Sequence, residues 1–282
     1  MNEALTRRRR RRRHSAGELV GTHAAGLLAV VLCAGPILLV ALASFRSTLF
    51  SDLSPAPENW TLANYSALLG DPVVLRWIVN SLLVAAAVTA LTVAVDVLAA
   101  FAFAKLRFPG RTAVFGMLLA TLMLPFSVTL LPTYLIASRL NLVDTYAGLI
   151  VPAIAGPFGV YLLRQFILKI PESLMDAARI DGASTLRIFR SVVLPLCLQP
   201  MAVLAIFVFV ANWNSFLWPL LIAQSDDVKT IPVGMAVTNT QFSVNVNGIT
   251  AMAMLSLLPM AVLFLSFQRY FIRGVLAGAF KG

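Results

Sequence analysis

Six long apolar runs, at about 24–43, 78–104, 112–137, 146–167, 196–223 and 248–267, leave this chain few ways to fold. Each is close to the roughly 20 residues that cross a hydrocarbon core as a helix. Backbone polar groups in lipid must be satisfied within the spanning structure, so runs of this length read as helices. The predicted class is an all-α integral membrane protein with six transmembrane helices. Composition agrees: 59% of the residues are hydrophobic and 12% charged, against roughly 45 to 50% apolar usage in soluble domains. The first run follows an arginine block and ends in small residues, Ala41 and Ala43, as a cleaved signal peptide would. It exceeds the usual 7 to 15 apolar residues of such a peptide, which favours an uncleaved first span. Residues 1–23 read as a basic, disordered segment and 24–282 as the membrane domain.

An even number of spans puts both ends on one side, and lysine and arginine near the helix ends decide which. The face with the termini carries eighteen of the 22 basic residues: Arg7 to Arg13, three in the loop 105–111, five from Arg164 to Arg190 and three in the tail. The other carries Arg46, Arg76, Arg139 and Lys229, together with Asp52, Glu58, Asp71, Asp144, Asp226 and Asp227. Both termini are therefore expected in the cytoplasm. The arginine block lacks interleaved aromatics and a folded basic face, so anionic lipid rather than nucleic acid is its expected partner.

One stretch departs from the membrane pattern. Residues 171–195, PESLMDAARIDGASTLRIFRSVVLP, mix charged and apolar residues between two spans. Ser173 and Asp176 have capping-box spacing, which predicts a short helix from near Leu174. Gly182 is expected to end it. Ser184 is placed to cap a second short helix with Arg187 and Arg190 on it, closed at Pro195. Such a helix, glycine turn and helix beside a bilayer suits either the lipid surface or a groove on a soluble partner.

Chemistry is hard to place on this chain. A phosphate-cradling loop needs G-x-x-x-x-G-K-[ST], and no glycine here is followed by lysine. Two cysteines, Cys33 and Cys197, and two histidines, His14 and His23, have no metal-ligand spacing. No catalytic residue, metal ligand or bound cofactor is nominated. Asp96, mid-span, is costly in lipid and is either a proton or solute contact or a group packed inside a bundle. Asn80, Asn212, Trp213 and Asn214 carry the same two readings, a polar path for a hydroxylated solute or hydrogen bonds between helices. A stand-alone proton-coupled transporter using Asp96 stays open on these residues alone.

Asp176, Ala177, Ala178, Gly182, Val192, Leu194 and Pro195 match the spacing of the EAA motif, E-A-A, three residues, G, nine residues, I-x-L-P, with Asp for Glu and Val for Ile. On these residues the chain resembles the permease subunits of binding-protein-dependent ABC importers. AAFAFAKLRFPGR at 99–111, WNSFLWPLL at 213–221 and RYFIRGVLAGAFKG at 269–282 are most similar to the smaller subunit of maltose-type sugar permeases. The resemblance implies the type I ABC importer permease fold, with 171–190 as a cytoplasmic coupling helix. It implies that Asp176, Ala177, Ala178, Asp181, Gly182, Arg187, Leu194 and Pro195 dock an ATPase, and that Gly278, Phe280, Lys281 and Gly282 lie near it. Implied partners are a second permease subunit, two ATP-binding subunits that use ATP and Mg, and an extracytoplasmic solute-binding protein. The implied setting is a bacterial inner membrane, and the implied solute is a sugar, an oligosaccharide or a glycerophosphate-type molecule.

Overall fold

The structure is a computed structural model that describes residues 16–47, 59–154, 156–241 and 246–279. The arginine run 7–13 and residues Phe280, Lys281 and Gly282 lie outside the described residues. Among the described residues, those up to 64 with 246–254 form one compact unit, and those from 65 to 241 with 255–279 another.

Thirteen α-helices are present among the described residues. In the first unit, α1 (Ala16–Ser44) starts inside the segment expected to be disordered and runs on through Pro36. Beyond its end, Arg46 and Trp60 pair in an isolated antiparallel bridge. The Asn64 amide donates to the carbonyls of Ser44 and Arg46, at 2.9 Å each. A short helix, α2 (Ala63–Gly70), follows.

The organising element of the second unit is α3 (Pro72–Lys105). It begins ahead of the predicted position 78 because the sequence supplies a strong start: the Asp71 side chain accepts from the Val73 N–H at 2.8 Å, and Pro72 occupies the first turn. Next come α4 (Arg111–Ala120) and α5 (Phe126–Arg139), then α6 (Tyr146–Ile150) and α7 (Pro157–Ile167). The polar stretch forms α8 (Glu172–Ile180) and α9 (Thr185–Ile188), followed by α10 (Leu194–Trp213). The last three are α11 (Leu217–Ile222), α12 (Ile231–Gln241) and α13 (Val246–Ala279).

Among the described residues, four helical stretches are long and apolar enough to cross a membrane alone: 21–44, 72–105, 185–213 and 246–266. The count reaches six when two bent pairs are each taken as one span. The third expected span is thus not straight. Its halves, 111–123 and 126–139, meet at 105°. The fourth also divides, before α7. Both breaks have one cause: Leu124 precedes Pro125 and Gly156 precedes Pro157, and each is extended, at φ −81°, ψ 119° and φ −119°, ψ 107°. Proline crowds the residue before it out of the helical region. Pro132, Pro200 and Pro259 sit inside helices that continue past them.

The fifth expected span, 196–223, is also redrawn. Its helix starts at Thr185, continuous through a π-helical turn at Phe189–Val193, and ends at Trp213, with α11 separate. Pro195 therefore closes no short helix. It falls in the first turn of α10, directly after the wider π turn, where its missing N–H is readily tolerated. The last helix outruns its predicted end at 267 and includes Gly278.

Two apolar cores lie along α3. Near its Lys105 end, Val97, Ala100, Phe101 and Ala104 pack with Val160, Leu163 and Ile167 of α7 and with Cys197 and Leu204 of α10. Toward its start, Val84 and Val88 meet Leu149, Trp218, Ile222 and Val228. The opposite faces stay apolar and exposed, as at Leu82, Leu83, Val95 and Leu98, which suits a helix in a hydrocarbon surrounding.

Candidate docking knuckle and polar span residues

The polar stretch is built so that one face locks into the protein and the other stands free. In α8 the N-cap position is Pro171, whose extended backbone makes no side-chain cap bond. The expected capping box therefore does not form. Ser173 lies inside the first turn, and Asp176 instead pairs with Arg179 at 2.7 Å. Met175, 1% exposed, inserts from α8 into the core beside Phe189 and Ile188. Ala178 packs on the same core, while Ala177 is exposed.

The turn follows the expectation for its glycine. Gly182 has φ +78°, its N–H bonds to the Arg179 carbonyl at 3.0 Å, and the Ala183 N–H reaches the Ala178 carbonyl at 2.9 Å. That pair of bonds is the Schellman arrangement, in which a left-handed glycine caps the last carbonyls of a helix. A Cβ on Gly182 would meet nothing within 4 Å, so the positive φ, not crowding in this chain, is what asks for glycine. Ser184 then caps α9, accepting from the Arg187 N–H at 3.4 Å.

Asp176, Ala177, Asp181, Gly182, Arg187 and Pro195 are exposed, whereas Leu194 is half-buried against the core. The stretch thus brings six of the eight nominated docking residues to the surface and uses the others as anchors. Sequence reading nominated none of the exposed large apolar residues on the same knuckle, Ile180 at 87% exposure, Leu186 and Leu174. A large apolar side chain that protrudes so far from a charged helix is suited to a partner's pocket.

The polar residues of the spans do not gather into one site. Asn80 and Asp96 are sixteen positions apart on α3, about 24 Å along a helix. Asn80 is buried and structural in its bonds: its amide donates to the carbonyls of Asp227 and Lys229, at 2.9 Å each, and its Oδ1 accepts from the Tyr146 hydroxyl at 2.6 Å. At the next position, Ser81 Oγ accepts from the Ile231 N–H at 2.8 Å, capping α12 from a distance. Asp96 is 1% exposed and lies against Gly159 of α7, with no hydrogen-bond partner for Oδ2 among the described residues.

Asn212 and Trp213 close α10 and Asn214 caps it, so the three lie at the break that divides the expected fifth span. The amides of Asn212 and Asn214 turn back to the Val208 and Val210 carbonyls, at 2.8 and 2.9 Å. This local competition with the helix ladder suits a terminus. Trp213 is buried, and its Nε1 donates to the Ser256 carbonyl of α13 at 3.1 Å.

Comparison with known proteins gives a consistent picture. Residues 96–277 match the family described as binding-protein-dependent transport system inner membrane component. The chain is 36% identical over 257 residues to an arabinooligosaccharides transport system permease protein of Halalkalibacterium halodurans, covering 88% of this chain and 91% of that one. It is 39% identical over 198 residues to an sn-glycerol-3-phosphate transport system permease protein of Salmonella choleraesuis, covering 70% of each. Among solved structures, a bacterial ABC transporter involved in the import of the acidic polysaccharide alginate superposes with a TM-score of 0.80 at 21% identity, over 91% of this chain and 98% of that one. The fold is that of a type I importer permease, and the chain belongs to the family of binding-protein-dependent transport system inner membrane components.

Proposed function

We propose that this chain is the membrane-spanning subunit of an ATP-driven importer for a sugar or oligosaccharide, working as half of a heterodimeric permease. The observation that carries the reading is the exposed knuckle 171–190, with Gly182 in a left-handed turn and Ile180 and Leu186 protruding. The sugar assignment is supported by relatives named for arabinooligosaccharides and by the alginate importer. A relative named for sn-glycerol-3-phosphate supports a glycerophosphate-type solute as the second reading.

In this mechanism the chain does no covalent chemistry. ATP and Mg act in two partner ATPase subunits, and a solute-binding protein delivers the solute to the far face. Such a partner is supported by the likeness to an alginate transporter in complex with its pentasaccharide-bound periplasmic protein, at a TM-score of 0.66. Both termini and the knuckle face the cytoplasm of a bacterial cell, and the α13 end around Gly278 lies near the ATPase pair. Closure of the ATPase dimer moves the knuckle. Because the helix from Thr185 to Trp213 is continuous, that movement reaches the spans as a tilt and opens the solute path outward.

Asp176→Lys reverses a charge on the exposed face of α8, while Arg139→Ala at the end of α5 leaves that face untouched. Pull-down of the ATPase with membranes carrying each variant tests the reading. Loss of the ATPase in Asp176→Lys alone is expected. Equal recovery in both, with normal uptake, would make the knuckle a surface loop.

A further inference from the structure

The Lys105 end of α3 grips the knuckle through a lysine that is itself almost fully enclosed. The Lys105 side chain is 5% exposed, and its Nζ donates to the Ile170 carbonyl at 2.8 Å, at the exit of α7. It also lies 3.5 Å from Glu172 Oε2, on the first residue of α8. From there the charges continue outward: Arg179 stands 3.9 Å from Glu172 Oε1 and 2.7 Å from Asp176 Oδ1. One chain of alternating charge thus joins the end of a membrane span to the acidic residue of the motif. Two further contacts tie the same place together. Arg164 of α7 donates to the Phe103 carbonyl at 3.2 Å and lies over the Phe115 ring at 4.2 Å. Met175 plugs α8 into the core that Phe101 and Ile167 share.

We propose that Lys105 is a positioning residue that fixes α8 to α3, so that a displacement of the knuckle is delivered to two spans at once, α3 through Lys105 and α10 through the continuous helix. Burial gives the link its stiffness. An exposed ion pair is worth little, but an enclosed ammonium that loses its partners is left without solvation, so separating α8 from α3 is costly. Glu172 alone, at 59% exposure, would not hold the helix. The Ile170 carbonyl does most of the holding, and Glu172 adds direction. Without the lysine, α8 stays folded, because its Schellman cap and Met175 remain, but it can yield under load instead of carrying α3 with it.

This inference rests on the permease reading, and the experiment separates the two. The complete complex with its second permease and ATPase is reconstituted with the wild-type chain, Lys105→Met, Lys105→Arg and Glu172→Lys. ATPase recovery in pull-down is measured beside ATP hydrolysis with and without the sugar-loaded binding protein. Lys105→Met keeps the stem and removes the ammonium. It is expected to retain the ATPase and the basal rate while losing stimulation by roughly tenfold, the scale of one charged hydrogen bond. Lys105→Arg, which keeps a donor, is expected to recover most of that loss. Glu172→Lys, at an exposed position, sets a second ammonium against the first and is expected to lower stimulation in the same way. Normal stimulation in Lys105→Met and Glu172→Lys would overturn the proposal. So would failure of Lys105→Met to reach the membrane while Glu172→Lys works normally, because the lysine would then serve folding alone. A wild-type complex that never retains an ATPase would instead defeat the permease reading itself.

Discussion

The Asp96 carboxylate on α3 packs directly onto the backbone of Gly159 on α7, so closely that a Cβ at position 159 would overlap its Oδ2 and crowd Leu204. Two helices packed in one core of the second unit therefore meet through a glycine and an acid. Gly159→Ala forces the carboxylate aside within a packed layer, an overpacking cost of about 1 to 3 kcal/mol. The variant is expected to unfold at lower temperature in detergent. Asp96→Ala should relieve most of the effect in the double variant, which a two-by-two comparison of melting midpoints reads directly.

Gly182 offers a contrasting test, since space around it is open and only its backbone angle is demanding. Gly182→Val is expected to cost about 1 to 2 kcal/mol locally through the left-handed conformation. Its membrane level should be near normal while uptake falls, because the strain misdirects α9 rather than the spans. Gly182→Asn, a residue that tolerates this region, should restore most uptake. Immunoblots of membranes beside solute uptake measure both.

Asp144 holds the loop after α11. Its Oδ1 accepts from the N–H groups of Gln224 and Ser225 at 2.9 Å each and from Ser225 Oγ at 3.0 Å. These bonds, first of all that from the Ser225 backbone, lower its pKa below the ordinary carboxylate value, despite partial burial that acts the other way. A depressed folded-state pKa contributes stability that is present above the unfolded value of about 3.9 and is lost as pH falls through the folded value. Asp144→Ala should cost about 1 to 3 kcal/mol through unpaired donors. Asp144→Asn keeps an acceptor and tolerates the φ of +56°, so it should cost less and should flatten the acid limb of the stability curve.

Orientation is open to a direct test. A cysteine at Asp226, exposed in the loop that Asn80 and Asp144 anchor, should react with an impermeant thiol reagent added to intact cells, and one at Ser184 should not. Labelling of Ser184→Cys from outside would invert the proposed topology.

The helical class and the existence of the apolar runs were legible because burial in lipid leaves backbone groups no alternative partner. The helix end at Gly182 was legible for a different reason: a lone glycine between two short amphipathic segments marks a turn, although the sequence left open whether a positive φ or a close approach required it, and the φ of +78° favours the first. Helix ends were less so. The capping pattern at Ser173 and Asp176 lost to Pro171, which sits two residues before Ser173 and holds the N-cap position itself. The bends at Pro125 and Pro157 and the continuity through Pro195 show that a proline's effect depends on the helical register around it, which periodicity does not carry. Lys105 counted in the sequence only as one of many basic charges. Its enclosure by the exit of α7 comes from contacts 65 residues apart, which no local pattern reveals.

As proposed, this chain converts a partner's ATP hydrolysis into inward movement of a sugar while performing no chemistry itself. Substrate-stimulated ATPase activity, measured across a panel of sugars and oligosaccharides, tests it most directly. The purified chain should hydrolyse no ATP, and the assembled complex should hydrolyse it faster with one sugar-loaded binding protein than with the others. Proton-driven uptake by the chain alone in liposomes, abolished by Asp96→Asn, would make it a stand-alone secondary transporter instead.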